Sequence, residues 1–235
     1  MKTRLASKRD CAGFSPGSPG CFGSLTGAAA ARFQRDMTQH VFLRGQLIFQ
    51  AGGPAHVLYL IAAGRVKVVT LGKHGEELVL RLLGPGEILG YRPLLANEPY
   101  SASAEVVEDA TLCMVPAATL RELLRESPAL AEQLLAKLAR ELRLSEELMM
   151  DVLHRPAKER VARLLLTLLD DNLGAAHPDI IASSHLRRKD MARMAGTTPE
   201  TLSRILRGWS ERRVVEVTRD RVRVRDRVQL ERIAH

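Results

Sequence analysis

Between Thr38 and Met114 the apolar residues fall in short runs, VFLRGQLIF, VLYLIAAGRVKVV, ELVLRLLG, EILGY and ATLCMVP, divided by glycines from Gly45 to Gly90. Short β-rich runs bounded by glycine turns predict an antiparallel roll or barrel. The period changes at Ser127-Pro128, which supplies a helix N-cap and a proline suited to the first helical position; from Ala129 to His154 no residue breaks a helix. Along it Leu135, Leu138, Leu142, Ser145, Met149 and Val152 recur at alternating intervals of three and four. That spacing makes a coiled-coil-type seam, which packs either on its own domain or on a second helix. A further helix is predicted after Pro156, over about 157–170. Residues 1–31, with the stretch CAGFSPGSPGCFGSLTG, lack apolar periodicity and are expected to form a weakly ordered tail carrying Cys11 and Cys21.

Near the C-terminus, HLRRKDMARMAGTTPETLSRILRGW divides into a helix around Arg188–Ala195, a turn at Gly196 and a second helix from about Pro199 to Gly208. Thr198 can cap that second helix, Pro199 suits its first position, and Glu200 favours the positive end of its dipole. Leu202, Ile205 and Leu206 form the expected buried face. Glu200, Thr201, Ser203, Arg204 and Arg207 point the other way, as the base-reading face of a recognition helix does. Arginine can donate two hydrogen bonds to guanine, glutamate can accept from cytosine, and serine can contact either kind of base edge. Downstream, VVEVTRDRVRVRD alternates apolar and charged residues about Arg219-Asp220, as a two-stranded wing would. Its Arg219, Arg221, Arg223 and Arg225 suit phosphate or solvent better than bases.

Charge supports this reading once it is divided along the chain. The 235 residues carry a net +8, yet residues 155–235 alone hold 18 Lys+Arg against 11 Asp+Glu, so nearly all the excess lies in the last third. A basic domain behind a near-neutral one suits phosphate neutralisation. The length favours two domains, and no apolar run is long enough to cross a bilayer. Lys2, Arg4, Lys8 and Arg9 are followed by Cys, Gly, Ser and Pro instead of a secretory core, so a cytoplasmic protein without a membrane partner is expected. A P-loop, a nucleophile elbow and an HExxH motif are all missing, and no enzyme is expected.

Over about residues 40–235 these features resemble the CRP/FNR family of transcription regulators: the glycine-punctuated roll, the long helix, KERVARLLL, and the helix-turn-helix with GTTPETLSR. The resemblance implies an α+β fold with an N-terminal antiparallel β-roll (a cyclic-nucleotide-binding-like jelly roll), a long dimerisation helix and a C-terminal winged helix-turn-helix. The expected divisions are a tail at 1–31, a sensor roll at 32–126, the dimerisation helix at 127–154 and a DNA-binding domain at 155–235. Glu200-Thr201-Leu202-Ser203-Arg204 looks like the recognition signature of the FNR branch. By that resemblance Glu200 and Arg204 read the G·C pair and its neighbours in a TTGA-like half-site, and Ser203 contacts the outer thymine. A homodimer on a palindromic double-stranded DNA operator, acting with RNA polymerase, is implied as well. A regulatory subunit that binds no DNA would leave the basic C-terminal third unexplained.

The signal is less sharply written. The family's cyclic AMP motif places a ribose-binding glutamate where this chain has Tyr91 and an Arg-Ser pair where it has Tyr100-Ser101, so cyclic AMP is not the expected effector; another small ligand remains an alternative. Cys113 matches the position of an internal cluster ligand in oxygen-sensing relatives, and Cys11 and Cys21 precede the roll as that branch's N-terminal ligands do. This resemblance implies an iron–sulfur cluster answering to oxygen or nitric oxide, with three cysteines and a fourth, different ligand. A thiol or disulfide switch, and a purely structural role for the cysteines, are the other readings.

Overall fold

The computed structural model describes residues 21–73, 75–170, 179–182, 186–218 and 221–235. The chain divides into two compact units, 1–141 and 142–235.

In the first unit, α1 (Gly27–Asp36) precedes β1 (Thr38–Phe42), β2 (Leu47–Phe49), β3 (Val57–Leu71), β4 (Glu77–Leu83), β5 (Ile88–Leu89), α2 (Tyr91–Ala96), β6 (Ser103–Pro116), α3 (Ala117–Glu126) and α4 (Pro128–His154), whose last residues pass into the second unit. The strands form one antiparallel sheet in the order β1-β6-β3-β4; β2 also pairs with β6, and β5 with β3. The two long strands carry the architecture. Their register shifts three times between Ile61 and Val66, and such bulges bend a ladder and sharpen its twist. At the bend Gly64 has φ +83°, and a Cβ there would lie 2.2 Å from the Asp109 carbonyl oxygen, so no other residue fits.

Alternation along β3 sends Leu58 and Leu60 to one face and Tyr59 and Ile61 to the other, so one strand serves two cores. The inner core joins Tyr59 and Ile61 to Phe42, Val66, Leu83 and Leu112. The outer core packs Phe33 of α1, Leu120 and Leu123 of α3, and Leu130 and Leu134 of α4 onto the sheet. Thr119 donates a 2.9 Å hydrogen bond to Asp36, and Arg32 pairs with Glu122 and Glu126, tying α1 to α3.

The expected tail therefore ends earlier than residue 31. Cys21–Ser24 forms a 3₁₀ turn, Phe22 and Leu25 are buried, and Phe22 stacks on Phe33 at 4.9 Å. Two large side chains among glycines and serines are enough to dock the segment onto the outer core, an effect that periodicity does not register. Cys11 lies outside the described residues.

The second unit holds the end of α4, then α5 (Ala157–Asp170), β7 (Ile180–Ala182), α6 (Arg188–Met194), α7 (Pro199–Glu211), β8 (Val215–Val217), β9 (Arg221–Val224) and α8 (Arg227–Ala234). The sheet runs β7-β9-β8, all antiparallel, and α8 packs along α5. Val161, Leu165, Leu202, Leu206, Trp209, Val222 and Leu230 are among its buried side chains. The buried face of α7 ends on Trp209, three residues past Leu206, whereas the expected Ile205 is only half-buried.

Candidate nucleic-acid interface and effector cleft

The helix-turn-helix is closed by local chemistry. At the end of α6, Gly196 adopts φ +60° and its amide donates to Arg193 O, while Thr197 N reaches Ala192 O at 2.8 Å, a left-handed C-terminal closure. Thr198 then caps α7: its side-chain oxygen accepts the Thr201 amide at 3.2 Å, and Pro199 occupies the first turn. Arg160 of α5 buttresses the turn from below. Its guanidinium donates to Ala195 O at 2.8 Å, to Gly196 O at 2.7 Å and to Arg155 O. At the start of α6 the buried Asp190 accepts both the Arg187 amide and the Arg187 side chain. Pattern reading did not find these brackets, because carbonyl partners are set by tertiary position.

With Leu202, Leu206 and Trp209 buried, α7 turns Glu200, Arg204 and Arg207 outward, and Thr201 and Ser203 sit half-buried beside them. Among the described residues the side chains of Glu200, Arg204, Arg207 and Arg221 make no hydrogen bond or ion pair. Most neighbouring arginines are engaged: Arg188 donates to Thr218 O, Arg223 pairs with Asp179, and Arg225 pairs with Glu216. The expectation that the wing arginines are open to phosphate thus narrows to Arg221, since internal carboxylates hold Arg223 and Arg225. Arg219 lies outside the described residues.

The proposed seam on α4 has two parts. Leu138 packs on the outer core of the roll and is partly buried, which removes it from a continuous exposed stripe. Leu135, Leu142, Ser145, Met149 and Val152 are exposed, and Leu144, Leu148, Met150 and Leu153 extend the apolar surface around the helix. Leu142 stands 62 % exposed and Leu153 66 %. At 3.6 residues per turn this band covers more than half the circumference, leaving Arg143, Glu147 and Asp151 as the polar side.

In the roll, a small cleft of about 50 Å³ opens to solvent beside α2, with Phe49, Leu83 and Leu89 on its apolar wall and Arg81, Tyr91, Arg92 and Tyr100 among its polar lining. Tyr100 stacks on Phe49 at 3.9 Å, and its hydroxyl donates to Val57 O at 3.0 Å. Tyr91 is buried; burial first, and the Glu141 carboxylate second, push its phenol well above the ordinary range. Arg81 pairs with Glu141 at 2.9 Å and more loosely with Glu87 at 3.6 Å, while Lys137 reaches Glu141 at 3.1 Å. Burial alone would raise the Glu141 carboxyl, but Tyr91, Arg81 and Lys137 outweigh it and hold the group below the usual carboxylate range. Two guanidinium groups on the cleft, from β4 and α2, escaped the linear motif, which looks for its arginine near residue 100.

Cys113 is fully buried against the outer core, opposite Gln39 and Leu60 in the sheet, and is disulfide-bonded. Burial pushes the Cys21 thiol upward. Among the described residues no group of three His, Cys, Asp or Glu is placed to hold a metal. No helix of the described residues is long and apolar enough to cross a membrane.

Residues 39–127 match the model of the cyclic nucleotide-binding domain, and residues 159–233 match that of the Crp-like helix-turn-helix domain. The chain is 38 % identical over 207 residues to the cyclic AMP receptor protein of Thermus thermophilus, covering 88 % of this chain and 90 % of that protein. It is 25 % identical to the anaerobic regulatory protein of Pasteurella multocida, covering 80 % of this chain and 68 % of the relative. Among solved structures, FixK2 from Bradyrhizobium japonicum superposes with a TM-score of 0.73 at 24 % identity, over 85 % of this chain and 98 % of that one.

Proposed function

This chain belongs to the CRP/FNR family of transcription regulators, and from that premise we propose that it reads a palindromic DNA site as a homodimer, with Glu200, Ser203 and Arg204 on base edges. The observation that carries the reading is the outward face of α7, whose charged groups have no partner among the described residues while neighbouring arginines are internally paired. Thr198, Thr201 and Arg207 then border the contact, and Arg221 meets phosphate. The wide apolar band of α4 supports a second copy as its cover, with Leu135, Leu142, Ser145, Met149 and Val152 in the seam and Leu138 held back by the roll. Bound near a promoter, the dimer would act on RNA polymerase.

The test is titration of labelled duplexes carrying a TTGA palindrome and single-base variants. Arg204→Ala is expected to lose about 1–3 kcal/mol of discrimination at the base it contacts, while affinity for unrelated duplex changes less. Unchanged discrimination would refute the role of this face.

For the signal we favour a small effector in the cleft of the roll over a cluster on the cysteines. The cleft itself favours this reading, as does Cys113, whose sulfur is buried and committed to a disulfide. Cyclic AMP is not the effector proposed: Tyr91 replaces the acidic group that would accept the ribose hydroxyl, and the Tyr100 hydroxyl is committed to Val57 O. Saturating cyclic AMP is expected to leave both melting temperature and DNA affinity unchanged.

A further inference from the structure

We propose that the reading head, α6 with α7, is fixed to the end of α4, and that the Asp151 carboxylate, through Arg155 and Arg163, determines which spacing between half-sites the dimer accepts. The inference rests on the dimeric reading above and adds a specificity that no base contact supplies. Between His154, the last residue of α4, and Ala157, the first of α5, stand only Arg155 and Pro156. Every backbone polar group of this connector is engaged. The Arg155 amide donates to Asp151 O at 2.9 Å, the Arg155 carbonyl accepts from the Arg160 guanidinium, and the Pro156 carbonyl accepts from the Glu159 and Arg160 amides at 3.0 and 3.3 Å. Proline has no amide to satisfy, and its ring fixes φ.

Side chains hold the connector from both ends. One Asp151 oxygen accepts from Arg155 at 2.8 Å and the other pairs with Arg163 of α5 at 3.0 Å, and the Asp151 side chain is only 14 % exposed. Arg155 goes on to Glu159 at 3.3 Å and to Ala234 O at the end of α8 at 3.4 Å. Arg160 carries the chain of contacts to Ala195 O and Gly196 O, in the turn before α7. The end of α4, the start of α5 and the turn before the recognition helix are thus joined by charge-assisted hydrogen bonds into one piece. In a dimer whose α4 helices pair, the orientation set at Asp151 is inherited by α7. One added base pair displaces a half-site by about 3.4 Å along the duplex and about 35° around it. A head on a loose connector follows that displacement. A head held by Asp151 does not, and the gain from engaging both half-sites at once is lost.

The experiment is anisotropy titration of the full chain with labelled duplexes that carry two TTGA half-sites as an inverted repeat, the spacer lengthened one base pair at a time, and with a duplex carrying a single half-site. The parent is expected to favour one spacer and to lose at least about tenfold in affinity one base pair to either side. Asp151→Asn, nearly isosteric, and Arg163→Gln should each reduce that penalty to about threefold or less, and the double variant should do no more than either alone, since all three remove the same contact. The two single variants change the net charge in opposite directions, which shifts affinity for every duplex alike, so matching changes in the ratio between spacers are not electrostatic. Arg163 is the more exposed partner and carries the test if Asp151→Asn does not fold. Discrimination among single-base variants of the preferred duplex should stay within about twofold of the parent, because the α7 side chains are untouched. A spacing penalty that the folded variants leave within about twofold of the parent's would overturn the inference while leaving the dimeric reading standing, as would equal affinity of the parent for all spacers. No palindrome bound more tightly than the single half-site would overturn the dimeric reading together with the inference.

Discussion

Replacing Arg160 with Met removes a guanidinium while keeping the aliphatic stem, and it tests whether the turn of the helix-turn-helix is held from α5. Three carbonyls lose a donor: Ala195 O, Gly196 O and Arg155 O. A hydrogen bond from a charged donor contributes about 1.5–3 kcal/mol, and a buried acceptor left without a partner costs about 1–3 kcal/mol. Ala195 is 3 % exposed, so its carbonyl is the costly one; Gly196 is exposed and water can replace the donor there. Discounted for the partial exposure of Arg160, the loss comes to about 2–4 kcal/mol in the second unit. In a unit of this size each kcal/mol moves the midpoint by about 4–8 °C, so its transition should fall by at least roughly 8 °C. Differential scanning calorimetry of the full chain measures this, with hydrogen exchange of the α6 and α7 amides as the local readout. Arg160→Lys, which can reach one carbonyl at a time, should recover part of the loss. A midpoint within about 2 °C of the parent, with α7 protection unchanged, would refute the reasoning.

Gly64→Ala should destabilise the roll severely, because a Cβ would meet the Asp109 carbonyl oxygen at 2.2 Å and φ is +83°; urea titration should show about 3 kcal/mol or more lost, and a loss under 1 kcal/mol would contradict the close packing of β3 on β6. Leu142→Glu with Leu148→Glu places charge in the exposed band of α4 and should give a folded monomer by sedimentation, whereas a persistent dimer would locate its interface elsewhere. Glu141 is held below its ordinary 4.5 in the folded chain, so its contribution is present above that value and is lost as pH falls through the folded one. Glu141→Gln should therefore flatten the fall of melting temperature between about pH 5 and pH 3; parallel profiles for variant and parent would deny the carboxylate that role.

Most of the fold was legible because period and punctuation carry it. The change from glycine-cut β runs to an unbroken helix after Ser127-Pro128, and the limits of α5 at Ala157 and Asp170, follow from local rules. Thr198 as a cap and Leu202 and Leu206 as the buried face of α7 were equally local. What was not legible depends on partners distant in sequence. Phe22 and Leu25 look like strays in a glycine-rich tail until α1 and α3 provide a surface for them. Arg223 and Arg225 share an alternating pattern with Arg221, and only the positions of Asp179 and Glu216 separate the paired from the exposed. The cations of the cleft come from β4 and α2, whereas the linear motif places its arginine in the segment around Tyr100, so the charge beside the cleft is invisible in one dimension.

Gly196 touches more than its own turn. A Cβ placed there would come within 3.0 Å of a Val152 methyl group and 3.6 Å of the Arg160 guanidinium. The last turn of α4 thus rests against the corner between α6 and α7, and one additional carbon would fit only if Val152 gave way by a few tenths of an ångström. Val152 consequently belongs to two surfaces, the apolar band and the corner of the helix-turn-helix. In engineering terms the two share one part, and a substitution at residue 152 that reshapes the band will also press on that corner.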